Sequence, residues 1–117
     1  MKSLLLSLSI ALLSNVSIAQ TPCACCSEHH RQFDYWIGEW EVFDTLGVKI
    51  GENTITKQEG GCILAEHWRS STGSTGRSMN YFTTTDSTWR QLWVDNQGSS
   101  LELRGKGVML PEIKAGS

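Results

Sequence analysis

Between residues 33 and 43 the spacing of the apolar positions changes period. Phe33, Trp36 and Ile37 lie three and four apart, one stripe of a short helix over 28–36. Gly38 ends that pattern, because glycine adopts left-handed backbone without a Cβ penalty. From Trp40 the alternation runs every second residue, with Trp40 and Val42 on one face and Glu41 and Phe43 on the other. The stretch therefore predicts a helical plug followed by a first strand. Phe33, Trp36, Gly38 and Trp40 are its structural residues.

Period-two alternation then continues along the chain. It predicts strands at 40–45, 48–57, 62–69, 77–84, 89–95 and 99–104, with a short last one over Val108-Met109-Leu110. Thr45-Leu46-Gly47, Glu59-Gly60-Gly61, Thr85-Asp86-Ser87 and Asn96-Gln97-Gly98 supply turns. Residues 70–76 carry no apolar anchor and read as a flexible loop, placed to rim an open mouth. Nearly every link is of hairpin length, so sequence neighbours should be sheet neighbours. The expected fold is all-β, an antiparallel up-and-down meander with a short N-terminal helix. In 48–57 neither face is purely apolar, which fits a barrel with a partly polar lumen better than a sandwich. A closed ligand-holding barrel needs about eight strands. The pattern falls short of that, so the expectation is an open barrel, one completed by a partner, or a chain interrupted at its C-terminal end.

Composition adds constraints. The chain has 117 residues, one domain's worth, with 10 Lys+Arg against 12 Asp+Glu. That balance lacks the basic surplus of a nucleic-acid-binding surface. Five tryptophans are many for this length, and such rings serve as core pieces or as pocket walls. The first residues read as a signal peptide: Lys2, an apolar run from Leu4 to Leu13, and a small-x-small site at Ser17-Ile18-Ala19. The run is far below the ~20 apolar residues of a spanning helix. No lipobox surrounds Cys23. The expected organisation is a signal peptide over 1–19, a cysteine-rich arm and helix start over 20–32, and a barrel domain over 33–117. The mature chain, cleaved near Ala19, is expected to be exported to the periplasm or secreted, with no membrane span.

Export places the four cysteines in an oxidising compartment. Cys23, Cys25 and Cys26 cluster in the arm and Cys62 stands apart. The leading reading is a disulfide from the arm to Cys62, tying the plug to a strand. It leaves two cysteines, either paired across a tight loop or reduced. A second reading is a Zn or Cu(I) site from the three arm cysteines with His29 or His30. The cluster is not read here as a Cys-x-x-Cys metal site. A redox thiol is weaker again, since no Cys-x-x-Cys follows a strand. Ser27 is positioned to cap the helix. His29 and His30 point about 100° apart on a helix, and both read as solvated polar positions.

Helix–Gly-x-Trp–strand is the opening of lipocalin-like proteins, and Gly38-Glu39-Trp40 stands in that position. The stretch 33–40, Gly60-Gly61-Cys62, Glu66-His67-Trp68, 76–81 and 89–95 together resemble a family of exported bacterial domains of unknown function with a lipocalin-like barrel. The resemblance covers residues 33–110. It implies a lipocalin-like fold, implies no activity, and implies further strands beyond the last one here. The haem-binding nitrobindin barrel is a more distant analogue. Its haem-ligating histidine lies late in the chain, and no histidine follows His67, so no ligand residue transfers.

The residues with chemistry lie on the strands. Glu66, Trp68, Asn80, Gln91, Trp93 and Asp95 combine aromatic and polar groups, the make-up of a small-molecule site if their faces turn inward. Alternation alone does not say which face is inside. Glu66 and Asp95, or His67, are the candidates for an enzyme in the same cavity. His67 points to the face opposite Glu66, and no nucleophile–base motif, zinc-protease motif or phosphate loop is present. Arg77 and Arg90 are read as surface residues. The expectation is a binding protein for a small apolar or amphipathic ligand, its cofactor undefined. The alternatives are an exported enzyme, or a structural barrel with a Cys/His metal-binding arm.

Overall fold

A computed structural model of the chain describes residues 22–106, together with Ser17. The rest of the signal-peptide stretch and the predicted strand 108–110 lie outside the described residues. Six strands follow one another: β1 (Gly38–Phe43), β2 (Lys49–Gln58), β3 (Ile63–Ser70), β4 (Thr75–Thr83), β5 (Thr88–Asp95) and β6 (Ser100–Gly105). They form one antiparallel sheet in sequence order, an up-and-down meander whose edges are β1 and β6. The sheet is not closed.

The register defines the two faces. Gly38 pairs with Ile55, Ile55 with Glu66, Glu66 with Ser78, and Ser78 with Trp93. One row further, Leu64 pairs with Asn80 and Asn80 with Gln91. These residues share the inner face, which the N-terminal segment covers. Ile55 and Leu64 are each 1% exposed and form its centre. Burying such a side chain contributes roughly 1.5–3 kcal/mol. The outer face carries Glu52, His67, Arg69, Arg77, Met79 and Leu92, and Met79 and Leu92 are exposed there.

The turns at one end of the sheet repeat a design. In Asp44-Thr45-Leu46-Gly47, Ser70-Ser71-Thr72-Gly73 and Asp95-Asn96-Gln97-Gly98, the glycine N–H donates to the first residue's carbonyl at 3.1, 3.1 and 3.2 Å. Each glycine has positive φ (81°, 95° and 80°), backbone that favours glycine. The first side chain accepts from the turn: Asp44 Oδ1 from the Leu46 and Val48 N–H, Asp95 Oδ1 from Gln97 and Ser99, and Ser70 Oγ from Thr72. The expected flexible loop 70–76 is therefore a tight turn, and Gly76 is buried inside β4.

The opposite end is held by the N-terminal segment. The predicted helix 28–36 is instead two 3₁₀ turns, His29–Arg31 and Asp34–Trp36, separated by Phe33 at φ −108°, ψ 15°. Such short turns suit a segment whose side chains, not its backbone, fix it. Ser27 Oγ accepts the His30 N–H at 3.3 Å, so the expected capping serine is in place. Gly38 follows the C-cap of the second turn at positive φ, backbone that favours glycine, as expected of the residue that ends the helical pattern. Ile37 is already extended (ψ 131°), and Gly38 at φ 142° is the first residue of β1.

All four cysteines are oxidised, in Cys25–Cys62 and Cys23–Cys26. The first joins the arm to the start of β3, closing a sequence separation of 37. The second pairs the remaining two. Cys23 and Cys26 do have Cys-x-x-Cys spacing, which the sequence reading passed over. With every thiol in a bridge, the arm offers no thiolate to a metal. The bridges fit an oxidising, extracytoplasmic environment.

Candidate functional site

The N-terminal segment and the inner face enclose a cleft of about 390 Å3. Phe33, Tyr35 and Trp36 form one wall, and Leu64, Trp89 and Leu103 the other. Asn80 and Gln91 supply its inner polar groups, and Arg90 and Arg104 complete the lining from β5 and β6.

Named contacts fix the covering wall. The Phe33 ring stands edge-on to Trp89, centroids 4.8 Å apart. Trp89 Nε1–H donates to Gln32 Oε1 at 3.0 Å, so the indole is polar-satisfied while its rings face the cleft. Trp40 Nε1–H donates to the Trp36 carbonyl at 2.7 Å. Lys57 reaches from β2 to Asp34 at 2.6 Å, a half-buried ion pair. His29 stacks on Phe82 and His30 meets the same ring edge-on, both at 5.1 Å. His30 is buried and its Nδ1 lies 2.6 Å from Ser27 Oγ. His30 is thus a buried packing group against β4, not the solvated position expected, whereas His29 stays exposed, as expected, while stacking on Phe82. Trp40, on the edge strand, keeps 44% of its surface exposed despite its role as first-strand anchor.

Beneath the cleft runs a chain of polar side chains across four strands. Asn53 Nδ2 donates to Glu66 Oε2 at 2.7 Å, and the Ser78 hydroxyl donates to Glu66 Oε1 at 2.6 Å. Asn80 Nδ2 donates to Ser78 Oγ at 2.7 Å and to the Leu64 carbonyl at 3.1 Å. Gln91 Nε2 reaches Ser78 Oγ at 3.4 Å. Both donors to the Glu66 carboxylate are neutral groups. Asn53 Oδ1 is buried without a partner. Such networks fix side-chain orientation, since a buried polar atom left unpaired is costly.

All six residues read as ligand-binding therefore fall on one face, but they do not form one site. Asn80 and Gln91 line the cleft, and Glu66 joins them through Ser78. Trp68 and Trp93 lie toward the other end, each over a glycine. A Cβ on Gly51 would come within 2.5 Å of the Trp68 ring, and one on Gly76 would overlap the Trp93 ring. Asp95 spends its carboxylate on the β5–β6 turn, so Glu66 and Asp95 are engaged separately. His67 is on the outer face, where burial first, then Arg77 and Arg69, lower its pKa. The sequence reading missed Tyr35, Leu64, Trp89 and Leu103 as cleft residues. Trp89 and Leu103 carried a usable signal, sharing their faces with Gln91 and Leu101 by simple alternation.

In the β4–β5 turn, Asp86 gathers the Thr88 hydroxyl at 2.6 Å and the Arg90 guanidinium at 2.6 Å, with Arg104 at 4.0 Å. The Thr88 hydrogen bond first, then Arg90 and Arg104, hold its carboxyl below the usual value. Among the described residues no group of three or more His, Cys, Asp or Glu side chains is arranged to hold a metal ion, and no helix is long and apolar enough to cross a membrane. No protein-family model, curated protein or solved structure matches this chain.

Proposed function

We propose that this chain is an exported, lipocalin-like binding protein for a small apolar or amphipathic molecule. The observation that carries the reading is the cleft of about 390 Å3 between the N-terminal segment and the sheet, walled by Phe33, Trp36, Leu64, Trp89 and Leu103. Its size falls within the roughly 300–1,000 Å3 of small-molecule sites, which pair apolar walls with a few placed polar groups. Asn80 and Gln91 are those groups, held by the Ser78–Glu66 chain. An apolar body packs between the rings, and a hydrogen-bonding end meets the two amides. Export is supported by the signal-peptide pattern at residues 1–19 and by the paired cysteines.

Titration of the intrinsic tryptophan fluorescence with decanoate and with haem tests the reading. A saturable change with at least one of them, attenuated in Trp89→Phe, is the expected outcome. A flat response to both contradicts it.

A further inference from the structure

We propose that Cys23–Cys26 is a thiol–disulfide exchange site whose co-reactant is a dithiol, distinct in role from the bridge that holds the N-terminal segment. Cys23 and Cys26 are both exposed, whereas Cys25 and Cys62 are half-buried. The two bridges are adjacent in the chain through Cys25 and Cys26, yet they close very different loops, with separations of 3 and 37 residues. Loop-closure entropy grows with loop length, so the short bridge constrains the unfolded chain far less. It also anchors nothing distant, because both its ends belong to the arm. A solvent-exposed disulfide is the kind that exchanges, and a protected structural one resists reduction.

The exchange balances as follows. One thiolate of the dithiol attacks a sulfur of the pair, the Cys23–Cys26 bond breaks, and the departing cysteine sulfur takes a proton from water. The second thiol of the dithiol gives up its proton and attacks its own sulfur in the mixed disulfide. That releases the other cysteine, which is protonated in turn. The dithiol is oxidised to a disulfide, and Cys23 and Cys26 gain two electrons and two protons. Cys25–Cys62 takes no part, so the arm changes redox state while the aromatic wall stays stapled over the cleft.

The test treats the oxidised protein with limiting dithiothreitol, quenches at intervals, alkylates with N-ethylmaleimide and maps the labelled cysteines by peptide mass spectrometry. Cys23 and Cys26 should be labelled at least about tenfold faster than Cys25 and Cys62. Equal rates, or earlier labelling of Cys25 and Cys62, would overturn the proposal. The Cys23→Ser/Cys26→Ser variant should keep the far-ultraviolet circular dichroism of the parent and lose the fast phase. A fast phase that persists in it assigns the lability to Cys25–Cys62 and also overturns the proposal. The labelling order in the unsubstituted protein decides the matter even if the variant folds poorly.

Discussion

The end of the sheet carrying the β1–β2, β3–β4 and β5–β6 turns is built from local instructions. The first residue of each turn accepts a hydrogen bond from its own turn, and a glycine four positions into the motif closes it. The end carrying the N-terminal segment is built from distant ones. Cys25 meets Cys62, Gln32 meets Trp89, and Asp34 meets Lys57. The local end adds only bonds between neighbouring turns and strands, such as the Ser71 N–H to the Ile50 carbonyl and the Asn96 N–H to the Thr75 carbonyl, and its turn residues do not line the aromatic cleft. The distant end supplies the only two aromatic walls that face one another across a cleft among the described residues, and the proposed function lives there. Stability at the first end should be a sum of small terms, whereas the second should depend on one large one.

The sharpest break in that comparison is removal of the staple. Cys25→Ser with Cys62→Ser frees a loop of 37 residues, a loss of about 4 kcal/mol on the chain-entropy account. Urea unfolding should register it, together with loss of the fluorescence response. A midpoint close to the parent's would mean that the N-terminal segment is held by packing alone. Next in size is Gly76→Ala, which drives a Cβ into the Trp93 indole. It should cost roughly 1–3 kcal/mol in thermal melts, as overpacked sites do, and leave ligand response intact because Trp93 lies away from the cleft. Asp95→Ala removes acceptors from two turn N–H groups and should cost about 1 kcal/mol by the same melts. If it abolished ligand response, the separation of the two ends would fail.

The smallest effect is acid sensitivity at the Asp86 cluster. Its carboxyl is depressed by Thr88, Arg90 and Arg104, so the folded state binds that proton less readily than the unfolded chain. The contribution is therefore present above the ordinary aspartate value of 3.8 and is lost as pH falls through the lower folded value. Asp86→Asn should flatten that part of the stability profile and slightly lower the plateau above it.

How much of this was legible in the sequence follows the same division. The strands and their alternation were readable because period two is a local property. Trp89, Gln91, Trp93 and Asp95 share a face just as spacing requires. Which face is inside was not readable, because the covering segment and its disulfide decide it, not the strands. Residues 70–76 read as loose chain because serine and threonine look like linker residues, yet they hold a tight turn and the start of β4. The turn's kinship to the Asp44 and Asp95 turns emerges only when the glycines are aligned. The continuous helix failed for a related reason. The spacing of Phe33 and Trp36 is equally satisfied by a 3₁₀ turn, and packing against Trp89 chooses the conformation. Asp95 was a plausible ligand group by type, and only the bonds it makes reveal a turn cap.

The most direct measurement uses the five indole N–H signals in a proton–nitrogen spectrum, one from each tryptophan. With decanoate added, Trp36 and Trp89 should shift and saturate together while Trp68 and Trp93 hold still. Movement confined to Trp68 and Trp93, or no movement in any of the five, would contradict a binding cleft beneath the N-terminal segment.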